Sequence, residues 1–396
     1  MHIKKLFFPG EFDDAYIYMQ KLLLFDADGR LFFVDLDRLV YQLEGQRKSD
    51  VKSIATHLFS RNEWLSGERF TSIFANKLIH AAYINAIKHF PNQIEIDKKL
   101  IQSIGETKVT DLLDVTIYNK RVYMGTDSGT FHIDLTWNDR NIEIDQAPQK
   151  RHDAMCTQIN AKYGSVSISC GDDGLFTKFD EFGFLEDENK TSHQWNEFNQ
   201  GKSFKTTWLF DDLLNYTSPT EPMLLRVIRS NKTIYQDKDA RTYDKVATGF
   251  DGEPENIGYL LDNIPENRFN INSPLLSLFN TFNSFYAQNQ ERMLFEVPIK
   301  RKSDSEELIA SKSKLIFGDL SGKILDITTF KRKNINILEF YNSVKMLVDN
   351  KLYTLAEGEA LSIKSYPYSK RFQNIVTIVV QEGVYVISIF DDEKIS

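Results

Sequence analysis

One pattern recurs along the chain: an apolar strand, a short polar turn that ends in glycine, and a second strand in which apolar and polar residues alternate. It is plainest in RVYMGTDSGTFHIDL (121–135), and KLIFGDLSGKILDIT (314–328) repeats it with Gly318, Ser321 and Gly322 matching Gly125, Ser128 and Gly129. Looser copies are LLLFDADGRLFFVDLD (22–37), VSISCGDDGLFTKFD (166–180) and VTIVVQEGVYVISIF (376–390). A tight hairpin needs positive φ at a turn position, which glycine adopts without the clash a Cβ brings. The alternation then sets Phe131, Ile133 and Leu135 on one face of the second strand, the pattern of a sheet packed against a neighbour.

The turn glycines Gly29, Gly129, Gly174, Gly322 and Gly383 stand 100, 45, 148 and 61 residues apart, close to two, one, three and one units of about 50. The intervening units are expected near residue 77 and across 220–252. Degenerate copies there are FTSIFANKLIHAAYIN (70–85), turning at Asn76-Lys77, WLFDDLLNYTSPTEPMLLRVIRS (208–230) and KVATGFDGEPENIGYLLD (245–262). A further hairpin, KLYTLAEGEALSIKS (351–365), turns at Gly358. Seven or eight units result, and seven is favoured.

Residues 121–135 resemble the repeats of quinoprotein-like and two-component-regulator-type β-propellers, and the remainder is similar to a distant WD40-like propeller. The chain departs from the WD40 pattern in having no Trp-Asp and no Gly-His dipeptide, and its four tryptophans do not recur at the blade period. The resemblance implies an all-β fold: one propeller domain over 1–396, of seven four-stranded antiparallel blades with one or two short helical insertions. Surface insertions are expected at 181–205 and 265–313, which are polar or break the strand rhythm.

Two stretches carry helical spacing. In DVKSIATHLFSR (50–61), Val51, Ile54, Ala55 and Leu58 fall at i, i+3, i+4 and i+7. In SPLLSLFNTFNSFYAQNQERMLF (273–295), Ser273-Pro274 reads as a cap and first turn ahead of an apolar face. Such a face ordinarily packs on the ring, and its aromatic residues Phe279, Phe282 and Phe285 are the partner-binding candidates.

A content of 41% hydrophobic residues among 396 excludes disorder as the main state. The net charge of −8 weighs against nucleic-acid binding, which relies on clustered basic residues to displace counterions. The basic runs Lys300-Arg301-Lys302 and Lys331-Arg332-Lys333, and Lys364, Lys370 and Arg371 around Tyr366 and Tyr368, read as solvated loops. No stretch of about 18 apolar residues occurs that would cross a membrane as a helix. The N-terminal apolar run, Leu6-Phe7-Phe8, is too short for a signal peptide, and the two cysteines are too few for a disulfide framework. A cytoplasmic setting is expected.

His152, Cys156, Cys170 and Asp172 are the one set with zinc-binding side chains in a short stretch, but they lack the paired close spacing of structural zinc ligands, so no metal is expected. Asp26 and Asp28 before Gly29 read as a hairpin turn rather than half of a calcium loop, which needs further ligands and a closing Glu. The Asp and Glu doublets, such as Asp211-Asp212, point to opposite faces on a strand and do not form acid–base couples. No Gly-x-Ser-x-Gly elbow, phosphate-binding loop, dinucleotide fingerprint or His-Glu-x-x-His motif is present, so neither a catalytic residue nor a cofactor is assigned. The expected function is a non-catalytic cytosolic protein–protein interaction module, a scaffold or regulatory subunit. The alternative is an enzyme or small-molecule sensor with its site at the central channel, and a nucleic-acid accessory protein ranks third.

Overall fold

The computed structural model describes residues 1–45, 54–63, 72–138, 141–182, 195–199, 201–236, 239–262, 275–281, 283–302, 307–330 and 335–390. Its strands form seven small sheets, four of four strands and three with a fifth, and all pairings but one are antiparallel. Small meandering sheets repeated in this way are propeller blades. The chain is a seven-bladed β-propeller. In chain order blades 1 to 6 occupy 14–35 with 102–106, 112–152, 158–199, 205–256, 275–317 and 326–357; blade 7 is built from 360–390, 2–9 and 93–95. The chain divides into two compact units. One comprises Met1–Thr110, Leu135–Ala147 and Asp326–Ser396, and the other Asp111–Asp134 and Pro148–Leu325.

In the first unit the two ends of the chain share blade 7. The strand His2–Pro9 pairs antiparallel with Gly383–Phe390 along its whole length, from His2↔Phe390 to Pro9↔Gly383. Its other edge takes Gln93–Glu95 in parallel over Lys5, Leu6 and Phe7. Leu6 and Phe8 are fully buried, and so is Lys4. The Lys4 ammonium donates to the Phe90 carbonyl at 2.5 Å and to Asn92 Oδ1 at 3.0 Å, beside the C-terminal end of the helix Lys77–His89, where carbonyls lack helical partners. Desolvation lowers the pKa of this ammonium.

Between the third and fourth strands of blade 1, Arg30–Asp35 and Gln102–Glu106, lies an insertion carrying the helices Leu36–Gly45, Ile54–Phe59 and Lys77–His89. The helix expected within 50–61 is the one at Ile54–Phe59. The strand pair expected at 70–85 is absent among the described residues, because Asn76 caps a helix instead. Its side-chain oxygen accepts from the Leu78 and Ile79 amides, and Tyr83, Ile84 and Ile87 then bury one helical face. These helices join an apolar cluster with blades 1 and 7 that includes Leu24, Leu58, Phe59, Ile87, Ile375 and Phe390.

His57 sits inside that cluster, sharing a 2.5 Å hydrogen bond with the Tyr83 hydroxyl, and burial pushes its pKa down from 6.5 to about 4. The unfolded chain therefore binds a proton between pH 6.5 and 4 that the folded chain refuses. The stability that neutral His57 supplies is present above pH 6.5 and is lost as pH falls from 6.5 to 4, by up to about 3 kcal/mol. Urea melts between pH 7 and 5 should show this loss, and His57→Gln should flatten the slope.

Five of the expected hairpins pair as read: Lys21–Phe25 with Arg30–Asp35, Arg121–Thr126 with Gly129–Trp137, Ser165–Ser169 with Leu175–Lys178, Asp212–Ser218 with Glu221–Gln236, and Ile375–Val380 with Gly383–Phe390. Asp26 and Asp28 serve the first turn. Asp26 accepts from the Arg30 amide and Nε, and Asp28 from Arg30 Nη2.

Residues 314–328 do not form a hairpin: Lys314–Phe317 pairs with Leu294–Arg301 in blade 5, whereas Asp326–Thr329 opens blade 6 against Ile335–Phe340. Gly322 therefore turns between blades. Gly358 does the same between Lys351–Glu357 of blade 6 and Ala360–Ser365 of blade 7. Residues 245–262 are not a further unit but the end of the last strand of blade 4, Asp239–Asn256, followed by the short helix Tyr259–Asp262.

The helix expected within 273–295 is a hairpin, Leu275–Thr281 with Ser284–Asn289, in register from Leu275↔Asn289 to Thr281↔Ser284. Both faces of this hairpin are covered, so its apolar residues run on continuously and mimic a helical face. Much of the 265–313 stretch is thus blade 5 rather than an insertion; within 181–205, residues 183–194 and 200 lie outside the described residues, and Asn196–Asn199 is the fourth strand of blade 3.

Candidate functional site

Blades 4 and 5 belong to one unit and share an apolar core in which Leu209, Leu214 and Leu224 meet Leu278, Phe285 and Val297. Two buried amides tie the rims above that core. Asn280 Oδ1 accepts from the Thr207 hydroxyl and, at 3.0 Å, from the Tyr216 hydroxyl, while its Nδ2 donates to the Trp208 carbonyl at 3.3 Å. Gln288, fully buried, accepts from the Ile324 amide at 2.8 Å and donates to the Gly322 carbonyl at 2.9 Å, as a strand neighbour would. The Ser277 hydroxyl donates to the Ile324 carbonyl at 3.3 Å. The loop 322–325 is thereby anchored to blade 5.

These ties enclose a cleft of about 200 Å³. Leu278 and Phe279 from blade 5, Tyr216 from blade 4 and Ile324 from the loop form its buried lining. Phe204 and Leu325 stand on its rim, each 45% exposed. Its charged lining residues are two lysines: Lys205, whose ammonium lies 5.5 Å from the centre of the Phe279 ring, and the exposed Lys323. No acidic residue lines it among the described residues. The volume falls below the roughly 300–1,000 Å³ of small-molecule sites and suits a single bulky side chain. Two of its hydroxyls hold the walls, Tyr216 on Asn280 and Ser277 on Ile324.

Replacing Gln288 by Leu keeps the volume and removes both ties to the loop, leaving the Ile324 amide and Gly322 carbonyl without these partners, a loss of about 1–3 kcal/mol. The expected result is a folded protein with faster amide exchange and proteolytic cutting confined to 318–325.

Of the three phenylalanines read as one partner-binding face, Phe279 is buried in the floor of this cleft, Phe285 is fully buried in the shared core, and Phe282 lies outside the described residues. Strand geometry replaces the helical face that would have aligned them: Phe279 stands opposite Tyr286, and Phe285 opposite Asn280. The half-exposed Phe204 and the loop 322–325 escaped the sequence reading. Only folding brings residues 204, 279 and 325 together, and no local spacing signals it.

Cys156, in the connection between blades 2 and 3, and Cys170 of blade 3 do come together. Both are buried in one cluster with Tyr123, Ile159 and Val166; the neighbouring Cys156 and His152 hold the Cys170 thiol below its ordinary value, while burial pushes Cys156 up. Asp172 is instead exposed and pairs with Lys202 at 3.7 Å. No group of three or more His, Cys, Asp or Glu side chains is placed to hold a metal ion among the described residues. Nearby, Glu181 accepts from Arg121 Nη1 at 2.8 Å and from the Tyr123 hydroxyl at 3.1 Å, and Arg151 Nε donates to His132 Nδ1 at 2.7 Å.

Of the basic runs, Arg301 pairs with the buried Asp212, Lys302 pairs with Glu307 at 3.3 Å, and Lys364 pairs with Asp14 at 3.4 Å. Residues 331–333 lie outside the described residues.

No protein-family model matches the chain, and no curated protein does. Solved structures to which it is similar include the computationally designed protein Ika8, at 8% identity over 97% of this chain and 99% of that one, with a TM-score of 0.45. YCF48 bound to D1 peptide is similar at 9% identity over 98% and 97%, with a TM-score of 0.47. The WD40 β-propeller domain of Doa1 follows at 8% over 97% and 94%, with a TM-score of 0.43. Likeness at this level says nothing of what the chain binds.

Proposed function

We propose that the chain is a protein-interaction module, a cytosolic scaffold or regulatory subunit that holds its partner at the cleft between blades 4 and 5. The observation that carries this reading is the cleft itself: a rigid apolar recess of about 200 Å³ rimmed by half-exposed Phe204 and Leu325. Interfaces concentrate their energy in a few bulky anchors seated in such desolvated recesses. A propeller offers the stiff frame, and loops and clefts on that frame supply the specificity.

The test is co-purification of the tagged chain from its host beside Phe204→Asp and Leu325→Asp. Both substitutions lie on exposed positions and should leave the β-sheet circular dichroism unchanged. A protein recovered at near-stoichiometric ratio with the native chain and lost with both variants supports the reading. Recovery at the native ratio with both variants would place the interface elsewhere.

A further inference from the structure

Resting on that reading, the geometry points to the chemistry of the occupant: we infer that the cleft takes a bulky apolar side chain, aromatic or leucine-like, from an acidic segment of the partner. Three observations converge. The recess is apolar at its floor and sized for one side chain, with Phe279 and Leu278 below and Phe204 and Leu325 at the mouth. The charged groups that line it are both cations, Lys205 from blade 4 and Lys323 from the anchored loop, in a chain whose net charge is −8. The walls are preformed, since Asn280 and Gln288 hold them through buried hydrogen bonds, so a ligand meets a recess that needs little ordering.

The floor fixes where the anchor sits, and the two ammonium groups determine the sign of what flanks it. Carboxylates on either side of the anchor would meet Lys205 and Lys323 at the rim, where opposite charge speeds encounter and selects among partners more than it adds affinity. A polyanion of another kind would satisfy the lysines but not the apolar floor. An uncharged apolar segment would satisfy the floor but gain nothing from the lysines.

The experiment titrates the full chain into fluorescent twelve-residue peptides with one central Phe flanked by Glu, by Gln or by Lys, and into an oligothymidylate. The Glu-flanked peptide is expected to bind about tenfold more tightly than the Gln-flanked one, two rim ion pairs being worth no more than that. Its advantage should shrink with added salt. Lys205→Glu with Lys323→Glu should erase that preference and favour the Lys-flanked peptide, while Phe204→Asp should weaken all three. Equal binding of the Glu- and Gln-flanked peptides would overturn the inference, as would tighter binding of the oligothymidylate. If none of the peptides binds while Phe204→Asp still strips the co-purified protein, the occupant is wrong and the interaction site stands. If the peptides bind as expected but Phe204→Asp and Leu325→Asp keep the co-purified protein, the recess selects acidic segments and the main interface lies elsewhere.

Discussion

A chain lacking residues 1–9 is expected not to accumulate as a folded monomer. The segment supplies an entire strand of blade 7, paired residue by residue with Gly383–Phe390, and it buries Leu6 and Phe8 completely. Those two side chains alone contribute about 5 kcal/mol of apolar burial. That is comparable with the whole net stability of many domains, ~5–15 kcal/mol. Removal would also bare the unpaired edge of Gly383–Phe390, whose apolar residues would then template association between chains. The Lys4 ammonium at the end of the Lys77–His89 helix would go as well, so the insertion would lose an anchor together with the blade. Size-exclusion chromatography and circular dichroism of the truncated chain should show aggregate or loss of cooperative unfolding. A synthetic peptide of residues 1–12 added during refolding should restore part of the monomer. A truncated chain that stays monomeric and melts at the native temperature would contradict this account of blade 7.

Gly129→Ala is expected to be the most damaging single substitution in the second unit. Gly129 closes the turn between Arg121–Thr126 and Gly129–Trp137 with φ +140°, a conformation that L side chains rarely adopt. A Cβ there would lie 2.2 Å from the carbonyl oxygen of His152, which belongs to the backbone of the strand Gln149–His152 laid against the turn. Neither the strand nor the turn can yield alone, because Thr126 accepts the Ser128 amide and donates to the Gly129 carbonyl, fixing the turn from within. Backbone strain and clash together should cost roughly 3–5 kcal/mol. Denaturant unfolding should show a midpoint shift of that size. Gly358→Ala is the control: its φ of +93° is also in the range L side chains avoid, but nothing lies within 4 Å of a Cβ there, so the loss should be near 1 kcal/mol.

Turn chemistry was the most legible part of the sequence because it is local. Gly29, Gly129, Gly174 and Gly383 all have positive φ and all close hairpins, as the polar turns before them announced. Gly322 misled for an instructive reason: the same Ser-Gly turn serves equally well between blades, and alternation on either side cannot say whether the two strands pair with each other. The apolar run from Leu275 to Phe285 misled in another way. Both strands are buried on both faces, so the period of 2 vanishes and residues three and four apart look like one helical face. Asn76 could be read as a turn or as a helix cap, and the choice fell to the core that Tyr83, Ile84 and Ile87 enter.

The cleft was not legible at all. Its parts come from residues 204–219, 277–279 and 323–325, and each segment alone reads as an ordinary strand end or loop. Gln288 left only the faintest trace, a polar amide at the end of an apolar strand, and its two hydrogen bonds to the loop depend on a fold that its neighbours do not encode locally.

The measurement that bears most directly on the central claim is hydrogen–deuterium exchange of the chain alone and with its co-purified partner bound. The account predicts slowed exchange in the complex at 202–205, 217–220 and 322–326, the segments that rim the cleft, with blades 1 and 7 unchanged. Protection confined to blades 1 and 7, with those rim segments exchanging as in the free chain, would contradict it.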